Sequence, residues 1–360
     1  AEGNHKVLNR AFYQVPAGNF KYIDFIAMAV DKQAAYICTY GYPGKWSSKD
    51  SRLVISKLAL TNNEFVHRQL EFSEDFRATS GIMLYNPGTN LLQLMTLTEI
   101  STKSNFLTGA STTRLLSLMN YIDPQTLTII ASKPLAAQMV SEHLTRQLGK
   151  ESRYYGVPQQ MVLNRDNTTT VLMEEMQRIV KRNASTGAII STQTNLGGIG
   201  VSELNDRGME EDGHVILKMQ VSAGLFYPMY IARKSKGLWS YRGSGFRGMH
   251  NNAFLSFDYV NTDKGRYILF NDYPANFEKA EGKRKRKPVK TISGSNTVCY
   301  KMQHGRPESF YLFGQPGKGQ SRFCYVEASH YLADQKTYAT LLMQRNGREK
   351  KASIAWVEFE

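Results

Sequence analysis

The chain has 360 residues, 45 Lys and Arg against 31 Asp and Glu (formal net charge +14), and 41% hydrophobic content. That apolar content excludes wholesale disorder and suffices for a large core. The excess positive charge says nothing about fold, but it permits attraction to nucleic acid, anionic polysaccharide or a lipid surface.

In chain order, the polar start Ala1–Lys6 fits a mature protein freed of its signal peptide, or an artificially trimmed start, and export to the periplasm or cell surface is expected. Tyr22–Val30 is apolar but far short of the roughly 20 residues a membrane helix needs, so it reads as a strand and no transmembrane segment is expected. Leu53–Leu60, Thr61–Asn63 and Glu64–Leu70 form strand, turn and strand, since Asn tolerates the left-handed backbone of a tight turn. Leu91–Ile100 is a further strand, and Leu115–Ile122, Asp123–Gln125 and Thr126–Ile130 repeat the hairpin.

Ser132-Lys-Pro134, then Leu135, Met139, Leu144, Leu148 and Gly149, predicts one short inserted helix near 134–148, with Pro near its start and Gly past its end. The weakest continuity of the chain lies near Lys150–Pro158. Val171–Val180 has features of both helix and strand and is read as strand. Gly197-Gly-Ile-Gly200 lacks the context of a phosphate cradle and reads as a turn. Gly200–Leu204, Asn205–Gly208 and His214–Val221 give a third hairpin, with Asp212-Gly213 as added turn chemistry. Phe254–Val260, Asn261–Gly265 and Arg266–Phe270 give a fourth, and Ser353–Phe359 is a last strand.

Many short strands without a dividing linker indicate an all-β chain forming a single domain, 1–360. Hairpins about 50–80 residues apart suit a β-propeller of about seven blades, with six to eight possible. A pair of β-sandwiches is the alternative. The middle of the chain also bears a resemblance. It runs from Val171-Leu-Met-Glu-Glu175 through Gly200–Gly208 and Val215–Gln220 to Phe254–Asp258 and Tyr267–Asn276. This succession resembles uncharacterised exported, propeller-like proteins of Bacteroidetes-type bacteria. The resemblance covers roughly residues 165–280 and implies the fold and an exported location, with no activity. The acidic Met209–Gly213 stretch departs from the pattern.

Two basic segments stand out as binding candidates. Lys283, Arg284, Lys285, Arg286 and Lys287 repel one another, so an exposed loop is expected, able to hold phosphate or sulfate groups. Arg233–His250 interleaves Trp239, Tyr241 and Phe246 with Arg242 and Arg247, and aromatic faces beside guanidinium groups suit a glycan or polyanion. The turn Tyr40–Trp46 is a fainter version. A solvated loop, or aromatics plugging the ring, explains the same residues without function.

For catalysis, Glu174, Glu175, Asp258 and Asp272 are the carboxylates from which a glycosidase pair would come, although on a strand Glu174 and Glu175 face opposite sides. The seven histidines show no metal-ligand spacing, and no catalytic residue, metal or cofactor is expected. Cys38, Cys299 and Cys324 read as small buried hydrophobes, with a Cys299–Cys324 pair left open. The functional expectation is a binding or scaffold module for a polysaccharide, other polyanion or protein partner rather than nucleic acid. A carbohydrate-active hydrolase with an acidic pocket in the ring channel is the alternative.

Overall fold

The structure, a computed structural model, describes residues 10–13, 20–44, 51–61, 64–71, 78–100, 114–224, 226, 228–229, 252–278, 286–302 and 307–359. They form five antiparallel sheets in chain order, each a meander whose consecutive strands pair. The first holds β1 (Tyr22–Val30), β2 (Ala34–Tyr42), β3 (Arg52–Ala59) and β4 (Phe65–Leu70). The second holds β5 (Ala78–Asn86), β6 (Leu91–Ile100), β7 (Arg114–Ile122) and β8 (Ile129–Pro134). After α1 (Gln138–Leu148) comes the third sheet, β9 (Gly156–Leu163), β10 (Thr169–Arg182), β11 (Ile189–Leu204) and β12 (Glu210–Ile216), with β13 (Gln220–Ala223) also pairing β11. The fourth holds β14 (Asp258–Thr262), β15 (Gly265–Asp272), β16 (Asn296–Met302) and β17 (Glu308–Tyr311), with the single turn α2 (Pro274–Phe277) inserted. The fifth has three strands, β18 (Gln320–Leu332), β19 (Thr337–Asn346) and β20 (Glu349–Glu358).

The sheets stack face to face in the same order. Tyr36, Cys38 and Ile55 meet Leu92, Leu94 and Ile122 between the first two sheets. Met95 and Met119 meet Val171 and Met173 between the second and third, with Val140 and Leu144 of α1 joining them. Leu172 and Ile199 meet Ile268 and Phe270, and Tyr267 meets Tyr338, across the next two contacts. The first strands of neighbouring sheets adjoin, β1 against β5, β5 against β9 and β14 against β18. Successive meanders with their first strands innermost make a β-propeller, not a pair of sandwiches. The described residues supply five sheets where the hairpin cadence suggested about seven, and β10 and β11 are long, at 14 and 16 residues.

Turn chemistry sets the hairpins. In five of the turns a carboxylate or amide at the start accepts backbone N–H groups two or three residues on: Asp31 from Gln33 and Ala34, Asn86 from Gly88, Asp123 from Gln125, Asn183 from Ser185, and Asn205 from Arg207. The 171–180 stretch is strand, inside β10. The helix exists but begins later than the proline suggested. Pro134 closes β8, and α1 starts at Gln138, where Glu210 of β12 accepts the Met139 N–H at 2.8 Å. Gly149 ends the helix in the left-handed conformation, φ 62°, as its position predicted.

Two glycine readings need correction. Gly197–Gly200 lies inside β11 at a bulge opposite Glu174–Met176, not in a turn. Asp212-Gly213 lies in β12, where a Cβ on Gly213 would sit 2.4 Å from the Val140 nitrogen, so the glycine allows α1 to approach. The three cysteines are buried thiols, and burial pushes Cys38 up to about 12. No helix of the described residues is long and apolar enough to cross a membrane.

Candidate functional site

The connections between strands reach opposite ends of each sheet. At one end of the fourth sheet, Asp258 begins β14 and Asp272 ends β15, so the 224–257 and 273–295 connections meet there. Both are rooted in one apolar base. Phe226, Ala253, Phe254 and Leu255 from the first, and Val289 from the second, pack with Leu196, Phe323 and Tyr325. Val289 also bridges to β13, with Val221 N–H to Val289 O and Val289 N–H to Met219 O both at 2.9 Å.

Beneath this base lies a buried polar network that the sequence reading did not identify. Lys218 Nζ donates to Glu174 Oε1 at 2.5 Å and to Gln220 Oε1 at 3.1 Å. Ser256 Oγ donates to the other Glu174 oxygen at 2.7 Å, and its backbone N–H to Gln220 Oε1. Gln220 in turn donates to the Asn271 carbonyl, while Asn271 Nδ2 reaches the carbonyls of Phe254 and Cys324. The Lys218 and Glu174 side chains are both fully buried. Burial of a charge is tolerated only with such pairing and further hydrogen bonds. The only signal in the sequence was a polar alternation through Lys218-Met-Gln220 in an otherwise apolar stretch.

Each of the four candidate carboxylates is engaged by the chain itself. Glu174 is held as above. Glu174 reaches Ser256, whereas Glu175 lies against Gly197 and Gly198 beside Tyr154, which packs with Val171 and Met173 between the second and third sheets, so the two acids have different surroundings. Glu175 accepts the Gly198 N–H at 3.0 Å, and desolvation holds its carboxyl above the usual range. Gly197 and Gly200 make room, since a Cβ there would meet Glu175 Oε2 or the Tyr154 ring at 2.6 Å. Asp258 accepts the Tyr338 hydroxyl at 3.0 Å. Asp272 accepts from Asn276 Nδ2 at 2.7 Å, and burial raises its carboxyl despite Arg286 3.9 Å away.

Of the ten predicted binding residues, two fall within the described part. Arg286 is not a solvated cation: its side chain is 10% exposed, lies 3.9 Å from Asp272 and donates to the Asn276 carbonyl at 2.9 Å. Lys287 is exposed, with its ammonium 5.2 Å from the Tyr273 ring centroid and its backbone N–H and C=O both bonded to the Asn276 amide. Lys283, Arg284 and Lys285 lie outside the described residues, as do Trp239, Tyr241, Arg242, Phe246, Arg247 and Trp46.

At the opposite end, a cavity of about 460 Å³ lies between the β9–β10, β14–β15 and β18–β19 turns, lined by Arg165, Asp263, Arg266, Tyr331 and Lys336 among others. Its charges pair with one another, Asp263 receiving both Arg165 and Lys336, and Arg266 pairing Glu203. Where α1 packs on β12, His143 and His214 meet edge to face at 5.2 Å; His143 Nδ1 accepts the Val215 N–H, and His214 Nε2 lies 3.0 Å from Asp212. Among the described residues no group of three or more His, Cys, Asp or Glu is placed to hold a metal ion.

No family model matches the chain, and no curated protein matches it. Solved structures are similar in shape. Hydrazine synthase of Kuenenia stuttgartiensis is similar at TM-score 0.37 and 10% identity, over 88% of this chain and 63% of that one, so the chain spans less than two thirds of it. The hemagglutinin-neuraminidase ectodomain of parainfluenza virus 5 is similar at TM-score 0.36 and 10% identity, over 97% and 71%. The α-L-arabinofuranosidase PaAbf62A of Podospora anserina, in complex with cellotriose, is similar at TM-score 0.34 and 8% identity, over 97% and 94%.

Proposed function

We propose that this propeller is an exported binding module for an anionic polysaccharide, gripped by the basic and aromatic connections at one end of its sheets. The observation that carries this reading is the shared root of those connections. Residues 226 and 253–255, which flank the segment bearing Trp239, Tyr241, Arg242, Phe246 and Arg247, pack with Val289, two residues beyond the Lys283–Lys287 run. Two cationic stretches therefore leave one fixed base, in a chain of net charge +14. Sulfate or carboxylate groups along a sugar chain would meet guanidinium and ammonium donors, with aromatic faces for the sugar rings. The hydrolase alternative needs acids converging in an open pocket. The four candidate carboxylates instead satisfy groups of the chain, which favours binding over cleavage.

The test is binding of heparin, as a sulfated polysaccharide probe, across a salt series, together with release of reducing ends. The wild-type chain should bind at low salt with affinity falling as salt rises. Lys283→Ala/Arg284→Ala/Lys285→Ala and Arg242→Ala/Arg247→Ala should each weaken binding about tenfold or more at unchanged Tm, with a shallower salt slope. No binding at low salt, or equal affinity in both variants, overturns the reading; reducing ends released from any glycan would restore the hydrolase.

A further inference from the structure

The β10–β11 hairpin runs on past the rest of its sheet. Among the described residues the last pair with β9 is at Glu175, and the last with β13 is at Gln193. Beyond them β10 and β11 continue together as far as Arg182 and Ile189. The pairs Val180 with Thr192, Lys181 with Ser191 and Arg182 with Ile189, at about 3.3 Å per residue, carry the turn 183–188 roughly 10 Å past β13. This arm stands at the end of the sheets where the 224–257 connection starts. Thr194 roots it there, donating to the Gly224 carbonyl at 3.0 Å and accepting the Phe226 N–H at 3.1 Å.

The arm combines aliphatic and cationic side chains. Residues 181–191 are exposed without a break, Ile190 at 66% and Ile189 at 57%. Ile179 and Val180, just below them, are half-buried. Arg178, Lys181 and Arg182 are the only charged residues between Glu175 and Glu203, so three cations and no carboxylate accompany the isoleucines. The turn also satisfies its own polar groups. Asn183 N–H donates to the Ala188 carbonyl at 2.7 Å, and Gly187 N–H to the Asn183 carbonyl at 2.9 Å. Asn183 Oδ1 accepts the Ser185 N–H at 2.9 Å and the Ser185 hydroxyl at 2.6 Å, and Arg182 Nη1 closes onto the Gly187 carbonyl at 3.1 Å. Such a tip leaves water at small cost, because these bonds go with it.

We infer that the β10–β11 arm docks on an anionic phospholipid surface, seating Ile189 and Ile190 below the headgroups while Arg178, Lys181 and Arg182 hold the lipid phosphates. Both sides of that boundary are matched. The branched chains reach hydrocarbon, and the long basic side chains keep their charge at headgroup level. A sugar chain offers isoleucine no such layer. A second copy of the arm is no better a partner, since cations without carboxylates would set like charges opposite each other. Docking of this kind uses none of residues 233–250 or 283–287, so it stands apart from the polysaccharide reading.

Vesicle co-sedimentation tests it, with phosphatidylcholine alone and with about 30% phosphatidylserine added as the anionic probe. The wild-type chain should bind the anionic vesicles about tenfold or more tighter than the neutral ones, and added salt should weaken that binding. Ile189→Thr/Ile190→Thr keeps β-branched residues on the strand and should lower anionic-vesicle binding about tenfold, at unchanged Tm and unchanged heparin affinity. Arg178→Gln/Lys181→Gln/Arg182→Gln should lower it about tenfold or more and flatten the salt dependence. A polarity-sensitive dye attached at Ala188→Cys, the three native thiols being buried, should shift to the blue with anionic vesicles. No binding to anionic vesicles overturns the proposal. So does binding that the isoleucine variant leaves intact, or a dye that stays unshifted, since charge elsewhere on the chain then holds the lipid. An isoleucine variant that loses heparin affinity in step with vesicle binding also overturns it, and gives the arm to the polysaccharide.

Discussion

The Glu174–Lys218 pair is the sharpest test of how the base of the binding end is held. Both side chains are fully buried, and each has one further partner, Ser256 for the carboxylate and Gln220 for the ammonium. Lys218→Met leaves a buried carboxylate with only the Ser256 hydroxyl, and Glu174→Gln leaves a buried ammonium hydrogen-bonded to neutral amide oxygens alone. Removing one member of such a pair costs about 3–5 kcal/mol, since the other charge stays desolvated. The double variant removes both charges of the pair: Gln at 174 still accepts from Ser256, and Met fills the volume of the lysine stem. Its cost is that of the hydrogen bonds lost, about 1–3 kcal/mol. The double variant is therefore expected to be no less stable than either single, a coupling of several kcal/mol. Urea unfolding of the four proteins, followed by tyrosine and tryptophan fluorescence, reads this directly. Single substitutions costing below about 1 kcal/mol, or costs that simply add, would refute the idea that charge pairing and not packing governs the network.

Gly213→Ala should cost about 2 kcal/mol or more, because the new Cβ would lie 2.4 Å from the Val140 nitrogen and 2.6 Å from the Met139 carbonyl carbon, and α1 must shift. Gly187→Ala, with nothing near its Cβ and φ of 67°, should cost only about 1 kcal/mol; equal Tm losses would show that α1 does not depend on the close approach. His143 is held down to about 4 by burial, with His214 and Arg146 adding, against 6.5 unperturbed. The unfolded chain therefore binds this proton first, so stability is present above about 6.5 and is lost as pH falls toward 4. With the ring only partly buried, the loss is on the order of 1–2 kcal/mol. His143→Gln keeps an acceptor for the Val215 N–H and should remove that part of the slope; an unchanged difference in unfolding free energy between pH 4 and 7 would refute it.

What was legible in the sequence was local. Runs such as Leu53-Val-Ile-Ser56, buried inside β3, mark strands because β-branched and apolar side chains suit a pleated, packed backbone. Asn205 and Asp123 marked turns because their side chains satisfy the turn backbone. Where local signals failed, a distant contact had overridden them. Gly213 looks like a turn residue until α1 is laid across it, and Gly197–Gly200 until Glu175 and Tyr154 fill the space. Pro134 suggested a helix start, but the donor groups of α1 are met by Glu210, 71 residues away in sequence from the Met139 it caps. Arg286 read as one cation among five, and only the return of Asp272 and Asn276 beneath it shows that one member of the run is an anchor. The Glu174 network joins residues separated by up to 82 positions, beyond any spacing rule.

The distribution of polar groups explains why the two long connections can carry so much charge. An apolar base alone would leave their ends free to slide, because apolar contact is not directional. Here the ends are fixed by directional bonds: Ser256 N–H to Gln220 at 2.7 Å, Gln220 to the Asn271 carbonyl at 3.0 Å, and the paired Val221–Val289 and Val289–Met219 bonds. Closing a chain segment between fixed ends costs little more as it lengthens, about 0.6 kcal/mol for each doubling. Lys283-Arg-Lys-Arg-Lys287 would be costly on a strand, where like charges face one another across the ladder. Of the two described members of that run, the Arg286 side chain is held beside Asp272 and on the Asn276 carbonyl, and the exposed Lys287 ammonium lies by the Tyr273 ring.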